Sequence, residues 1–352
     1  MGKKVIAGID IGGTNTRIGL ADDEGNILLD TCVEMEKYKN NPNLTYHDYV
    51  KEIHEGIQSL LKGGGSKPYV LIGIGIGAPS GNYRTGCLEN PVNLPWKLVP
   101  LTSELSKYYP ELPIKLNNDA NAAIIAEMVY GDAKGKRDFI VVTLGTGLGS
   151  GFVANGELIY GHDGLAGELG HIIAVENGRQ CNCGRRGCVE TYVSATGIKR
   201  TVFELLCDSP EKYDYNVNNN EESNKDYVSP LRSVPYNKLS GKDIDKAARE
   251  GDSVAMKAFE VTGRHLGKCL ADMVGITSPT HIFLFGGLAE ARELIFNPTI
   301  ESLKKNVLFL YKKKDPVTNE YTDPKVEVVP SGLGNQNTGL LGAAALVWKD
   351  IN

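Results

Sequence analysis

The stretch Lys3–Glu34, KKVIAGIDIGGTNTRIGLADDEGNILLDTCVE, decides the fold. Val5–Asp10 is apolar and β-branched, the residue choice of a buried strand. Gly12 and Gly13 break it with a tight turn, Thr16–Ala21 resumes strand character, DDEGN reads as a hairpin turn, and Ile27–Val33 returns. Asp138–Ile159, DFIVVTLGTGLGSGFVANGELI, has the same grammar: strand, glycine turn, strand, tight turn, strand. Each glycine turn carries a Gly-Thr pair, in DIGGTN (Asp10–Asn15) and in TLGTGLG (Thr143–Gly149). The echo is a weak internal repeat, and it predicts an α/β protein made of duplicated domains with a cleft between them.

Outward from these two starts the pattern stays α/β. Tyr46–Leu61 has helical spacing, with Tyr49, Ile53, Ile57, Leu60 and Leu61 on one face. YVLIGIGIGAP (Tyr69–Pro79) reads as a buried central strand, Leu101–Tyr108 as a short helix, PIKLNND (Pro113–Asp119) as a strand and Ala120–Tyr130 as a helix. Val254–Val274 predicts a long helix, THIFLFGGLAE (Thr280–Glu290) a strand entering a glycine turn and then a helix, KVEVVPS (Lys325–Ser331) a late strand and GLLGAAALVWK (Gly339–Lys349) a final helix. Residues 208–236 are polar, rich in Asn and Pro and without periodicity, which predicts a surface excursion.

Composition narrows the function. The 352 residues are enough for two cores, and 41% apolar residues is ordinary for a globular chain. Net charge is −5 with no block of Lys and Arg, which argues against a nucleic-acid or anionic-membrane partner. The N-terminal MGKKVIAGID has no apolar stretch of signal-peptide length and no cleavage site, and no run reaches the length of a membrane span, so a cytoplasmic protein is expected. Seven cysteines in a reducing compartment are not expected to pair as disulfides.

The glycine turns read as phosphate sites, although the common fingerprints are missing. There is no GxxxxGK[ST] loop and no GxGxxG opening a helix. Gly12 and Gly13 still expose backbone N–H groups, Thr14 adds a hydroxyl, and such a turn can cradle an anion. Asp10, at the strand's end, offers the oxygen that Mg²⁺ prefers. A plain hairpin is the competing reading. Gly145, Thr146 and Gly147 offer the same donors, and Gly286 and Gly287 sit between a strand and a helix, where phosphate or a flat nucleobase can approach the backbone. Asn118 and Asp119 of KLNNDANAA lie at a strand–helix junction, where both are also ordinary helix caps.

GELGHIIAVENGRQCNCGRRGCVE (Gly167–Glu190) supplies the sharpest local signal. His171, nine residues, Cys181, one residue, Cys183, four residues, Cys188 make one imidazole and three thiolates, the closed donor set of a structural zinc. CxC is not the redox CxxC, and Arg185 and Arg186 are too few for a nucleic-acid zinc ribbon. Gly184 and Gly187 let the short loop wrap an ion.

With DIGGTN, NLPW, NDAN, LGTGLG, GELGH, CxCGxxGCxE and FGGLAE in this order, the chain resembles the ROK group (repressors, open reading frames and kinases) of actin-like sugar kinases over nearly its whole length. Its motifs are most similar to those of ROK glucokinases. The resemblance implies two actin-like, ribonuclease-H-like domains with a structural zinc loop in the larger one. It places residues 1–118 and 337–352 in a smaller domain, and 119–336, with zinc loop 171–188, in a larger one. It makes Asp10, Gly12, Gly13, Thr14, Gly145, Thr146, Gly147, Gly286 and Gly287 the binding residues for ATP and Mg²⁺. It makes Asp119 the catalytic base, and Gly81, Asn93, Asn118, Asp119, Glu168, His171 and Glu190 the hexose contacts. His171, Cys181, Cys183 and Cys188 hold Zn²⁺. The chain departs from the common Pro-Gly at Pro79-Ser80-Gly81.

The implied reaction is ATP-dependent phosphorylation of a hexose, glucose at its 6-hydroxyl, by a homodimer. Kinases for fructose, mannose, N-acetylglucosamine and N-acetylmannosamine share these motifs. A sugar-responsive repressor would carry a helix-turn-helix ahead of DIGGTN, and Asp10 leaves no room for one. Intact Asp119, Gly12, Gly13 and Gly145 argue against a silent sugar-binding protein.

Overall fold

The computed structural model describes residues 2–65, 68–91, 94–208, 213–224, 226–333 and 337–351. They form an α/β fold with two compact units. One comprises Met1–Lys136, Tyr160–Ala166 and Ser331–Asn352, and the other Arg137–Ile159 and Gly167–Pro330. This division differs from the boundary expected at 118/119. Helix Asp119–Val129 packs along the C-terminal helix Thr338–Trp348, where Gly342 lets the two backbones meet beside Ala122, so it belongs with the first unit.

In the first unit, strand Lys3–Ile11 pairs antiparallel with Asn15–Ala21, which pairs antiparallel with Ile27–Glu34. On its other side it runs parallel to Tyr69–Gly77, which runs parallel to Ile114–Asn117. Helix Tyr46–Lys62 covers one face with Tyr49, Val50, Ile53, Ile57 and Leu60. It starts on a capping box in which the Thr45 N–H donates to Asp48 Oδ2 at 2.8 Å.

The C-terminal helix lies on the opposite face. It can do so because the strands beneath it carry glycine: a Cβ at Gly8 would run into the Leu340 carbonyl, and one at Gly75 into the Ala343 carbonyl. Gly75→Ala is therefore expected to force helix and sheet apart. The overpacking cost is about 1–3 kcal/mol, read as a shift in denaturation midpoint, and an unshifted midpoint would refute this packing.

The second unit repeats the topology. Phe139–Leu144 pairs antiparallel with Leu148–Ala154, which pairs antiparallel with Glu157–Leu158. Phe139–Leu144 is also parallel to His281–Phe285, itself parallel to Glu327–Pro330. Numbered within each unit, both sheets have the order 3-2-1-4-5. The repeat expected from the two glycine turns is thus a repeat of whole sheets.

Helix Ser253–Thr277 is capped by Asp252, which accepts from the Ala255 N–H at 2.8 Å, and it packs along Glu293–Asn306. The described part of 208–236 is fastened to this unit. Arg232 donates to the Leu206 carbonyl at 2.7 Å, Tyr227 donates to Asp252 at 3.1 Å, and Asn216 donates to the Glu250 carbonyl at 2.8 Å. Among the described residues no helix is long and apolar enough to cross a membrane.

Candidate active site and metal centre

In the first unit the residues singled out lie around the carboxyl ends of parallel strands, where an open α/β sheet presents its ligand crevice. Asp10 is half-buried near the end of Lys3–Ile11, and Gly339 at the start of the C-terminal helix packs against its carboxylate. The next turn is closed by the Gly12 N–H donating to the Asn15 carbonyl at 3.0 Å, and Gly13 and Thr14 stand exposed. Lys39 donates to the Gly13 carbonyl at 2.9 Å, and an exposed glycine turn of this kind can cradle an anion.

Asn118 caps helix Asp119–Val129, its Oδ1 accepting from the Ala120 N–H at 2.8 Å while its Nδ2 donates to the Pro79 carbonyl at 3.1 Å. The departure at Pro79-Ser80-Gly81 therefore rests directly on the cap. A Cβ at Gly81 would meet the Asn117 carbonyl at 2.6 Å. Asp119 is exposed on the first turn and accepts from the Ala120 N–H at 2.8 Å. Desolvation by the protein around it holds its carboxyl above the usual aspartate range, an effect the Ala120 N–H partly offsets. Burial and the charge of Asp119 likewise raise Asp10, with Arg17 opposing. The two carboxylates share one electrostatic neighbourhood and offer oxygens of the kind Mg²⁺ takes. Asn93 lies outside the described residues.

In the second unit the turn after Phe139–Leu144 is one residue tighter, with the Gly145 N–H donating to the Gly147 carbonyl at 3.0 Å. Gly286, at φ +99°, brings the turn after His281–Phe285 against Leu144, where the Leu288 N–H donates to the Leu144 carbonyl at 3.1 Å. Gly145–Gly147 and Gly286–Gly287 are thus neighbours. Glu190 Oε2 accepts from the Leu148 N–H at 2.9 Å, and a Cβ at Gly147 would run into the same carboxylate. Glu168 is exposed just before the 3-10 turn Leu169–His171. Ser150 pins that turn, donating to the Gly167 carbonyl and accepting from the Leu169 N–H at 3.2 Å. Gly170 lets it press on Leu148 and Glu190.

His171, Cys181, Cys183 and Cys188 converge, their donor atoms all within 4.8 Å of one another. The Cys183 and Cys188 sulfurs are 3.6 Å apart, and Cys181 Sγ is 3.8 Å from His171 Nδ1. A tetrahedral zinc with Zn–S of about 2.3 Å has edges of about 3.8 Å, so the spacing fits the ion. Gly184 and Gly187 make the wrap possible at φ +89° and +83°, the left-handed region. The thiols respond unequally. The Arg185 backbone N–H pulls Cys183 down to about 6, while burial and the neighbouring sulfurs push Cys188 up to about 12. Three thiolates so close need a cation to be ionised together.

One residue of this site carries no signal in the sequence. Arg179, buried two positions before Cys181, spends its guanidinium on Glu204, Thr191, Gly197 and Thr201. A lone Arg in ENGRQC reads as a solvated loop residue, and only the folded helix Ala195–Cys207 reveals its partners.

A family model described as the ROK family matches residues 6–350. The chain belongs to the ROK family. Among ROK relatives, the chain is 33% identical to a glucokinase from Thermotoga maritima, over 100% of this chain and 99% of that one. It is 29% identical to the xylose repressor of Bacillus subtilis, over 97% of this chain and 76% of the repressor. A solved ROK glucokinase from Streptomyces griseus, in complex with glucose and AMPPNP, is similar with a TM-score of 0.68 and 29% identity, over 97% of this chain and 98% of that one.

Proposed function

We propose that the chain transfers the γ-phosphoryl group of ATP to a hexose, with glucose as the substrate and its 6-hydroxyl as the acceptor. The observation that carries this reading is Asp119: an exposed carboxylate fixed at a helix start, its pKa held above the ordinary aspartate value by desolvation, beside Asn118 and sharing its electrostatic neighbourhood with Asp10. Phosphoryl transfer needs little more from a protein than positioning, charge neutralisation and an acceptor for the hydroxyl proton. The likeness to the Thermotoga maritima glucokinase, and to the Streptomyces griseus enzyme with glucose and AMPPNP, supports the substrate pair. The shared strand order supports the finer fold reading of two actin-like, ribonuclease-H-like domains.

In this mechanism Asp119 takes the proton as the hydroxyl oxygen bonds to the γ-phosphorus, and the β–γ bridging oxygen leaves with ADP. Asn118, Gly81, Asn93, Glu168, His171 and Glu190 orient the sugar; ionised carboxylates accept only, which suits a ring of hydroxyl donors. The turns Gly12–Thr14 and Gly145–Gly147 line the phosphates, with the N–H groups of Gly13, Thr14, Thr146 and Gly147 as donors while those of Gly12 and Gly145 close the turns, and Gly286–Gly287 pass the adenosine. Asp10 would hold Mg²⁺, which neutralises phosphate charge when bound. His171, Cys181, Cys183 and Cys188 would hold a zinc that keeps His171 and Glu190 in place. With Nδ1 turned to the sulfurs, the other ring nitrogen of His171 becomes a fixed donor.

The test is ADP release from MgATP across glucose, fructose, mannose, N-acetylglucosamine and N-acetylmannosamine. The expected result is the highest kcat/KM with glucose. Preference for another sugar would overturn the substrate and keep the base and the turns. Silence across the panel from folded, zinc-loaded protein would overturn the kinase reading.

A further inference from the structure

Arg179 is 9% exposed, and all of its polar reach is spent inside the protein. Nε donates to Glu204 at 2.8 Å and Nη2 to the same carboxylate at 2.5 Å. Nη1 donates to the carbonyls of Thr191 at 2.7 Å and Gly197 at 3.1 Å, and Nη2 also to Thr201 Oγ1 at 2.9 Å. The guanidinium lies 4.3 Å above the ring of Tyr192, whose hydroxyl in turn accepts from the Arg179 N–H at 3.0 Å. No donor is left to face a ligand.

What these partners hold is the point. Thr191 follows Glu190, and Gly197 and Thr201 lie in the first turns of helix Ala195–Cys207. That helix start is tied to the second glycine turn: the Ala195 N–H donates to the Gly145 carbonyl at 2.8 Å, and Thr196 Oγ1 to the Thr146 carbonyl at 3.0 Å. Glu190 closes the circuit through the Leu148 N–H. On the other side Arg179 belongs to the zinc loop, where its carbonyl accepts from the Gly187 N–H at 2.8 Å. One side chain thus joins the metal loop, the Glu190 segment and the Gly145–Gly147 turn. A buried guanidinium whose planar fork is held by several acceptors at once has its geometry fixed by them.

We propose that Arg179 is a positioning residue that sets Glu190 and the Gly145–Gly147 turn as one block, so that sugar and nucleotide affinity depend on it together. Lysine cannot take its place, because an ammonium lacks the planar fork that reaches four partners at once.

The test compares wild type with Arg179→Lys and Glu204→Gln by calorimetric titration of glucose and, separately, of MgADP, with zinc content and kcat measured on the same samples. Arg179→Lys is expected to fold and to hold zinc, yet to lose about tenfold in both affinities, the worth of about one well-placed hydrogen bond to each ligand. Glu204→Gln, which keeps the arginine and weakens only its half-solvated partner, is expected to move both affinities the same way by less. A folded Arg179→Lys with wild-type affinities, or with only one of them changed, overturns the inference. Should that variant fail to fold, unchanged affinities in Glu204→Gln overturn it. The inference rests on the roles proposed for Glu190 and the Gly145–Gly147 turn. A wild type that binds neither ligand sinks those roles and the inference with them, whereas a wild type and an Arg179→Lys variant that bind both equally sink the arginine's part alone.

Discussion

Asp119→Asn is expected to lower kcat by about 10²–10⁴-fold, the usual worth of a positioned general base. Glucose affinity should stay near wild type, because the amide keeps the shape of the carboxylate and Asn118 still caps the helix. Stopped-flow turnover alongside calorimetric glucose binding separates the two effects, and a variant with wild-type kcat would remove Asp119 from the chemistry. The raised pKa adds a sign. The base works when deprotonated, so activity should fall on acidification through a value above the ordinary aspartate range. For folding the linkage runs the other way. A carboxyl raised in the folded state favours folding at pH below its unfolded pKa, and that contribution is lost as pH rises through the folded value. At neutral pH the ionised Asp119 is therefore a burden on the fold, and Asp119→Asn should melt no lower than wild type. A lower melting temperature would contradict the desolvation assigned here.

Cys188→Ser is expected to cost more structure than any other single change in the second unit. Cys188 is fully buried, and its sulfur sits in the four-donor cluster. Metal binding in small zinc domains is worth on the order of ten kcal/mol, comparable with the whole stability of a typical domain. Losing one of four donors should release zinc, unwind 172–188 and displace both His171 and Glu190. The measurements are bound zinc per chain, melting temperature and glucose affinity. The control is Cys32→Ser, an exposed thiol far from the cluster in sequence. A zinc-free Cys188→Ser protein with wild-type glucose affinity would show that the loop does not support the sugar residues.

How much of this was legible follows from where each interaction is made. Lys3–Glu34 and Asp138–Ile159 were readable because a strand, a tight turn and a strand are local, and so was the convergence of His171, Cys181, Cys183 and Cys188, which lie within eighteen residues. Helix Tyr46–Lys62 was foreseen to within a residue, since its apolar face repeats cleanly. Helix Gly241–Arg249 was not, because only Ile244, Ala247 and Ala248 of its nine residues are buried and the rest read as a polar loop. The hairpin of Lys312–Lys314 with Tyr321–Pro324 was missed for a similar reason: three lysines carry no strand signal. The placement of helix Asp119–Val129 and the role of Arg179 depend on partners far along the chain, Gly342 for one and the segment Thr191–Glu204 for the other.

The glycines under the C-terminal helix also set an order of events during synthesis. The second unit is complete once Pro330 has left the ribosome, whereas the first still lacks Ser331 onward. Until Thr338–Trp348 arrives, the sheet face at Gly8 and Gly75 has no cover, and its apolar strands stand open for longer than it takes to make most of the protein. Strands made early are thus among the last to find their final packing, and a chain cut before Thr338 would leave an aggregation-prone face in place of a finished domain.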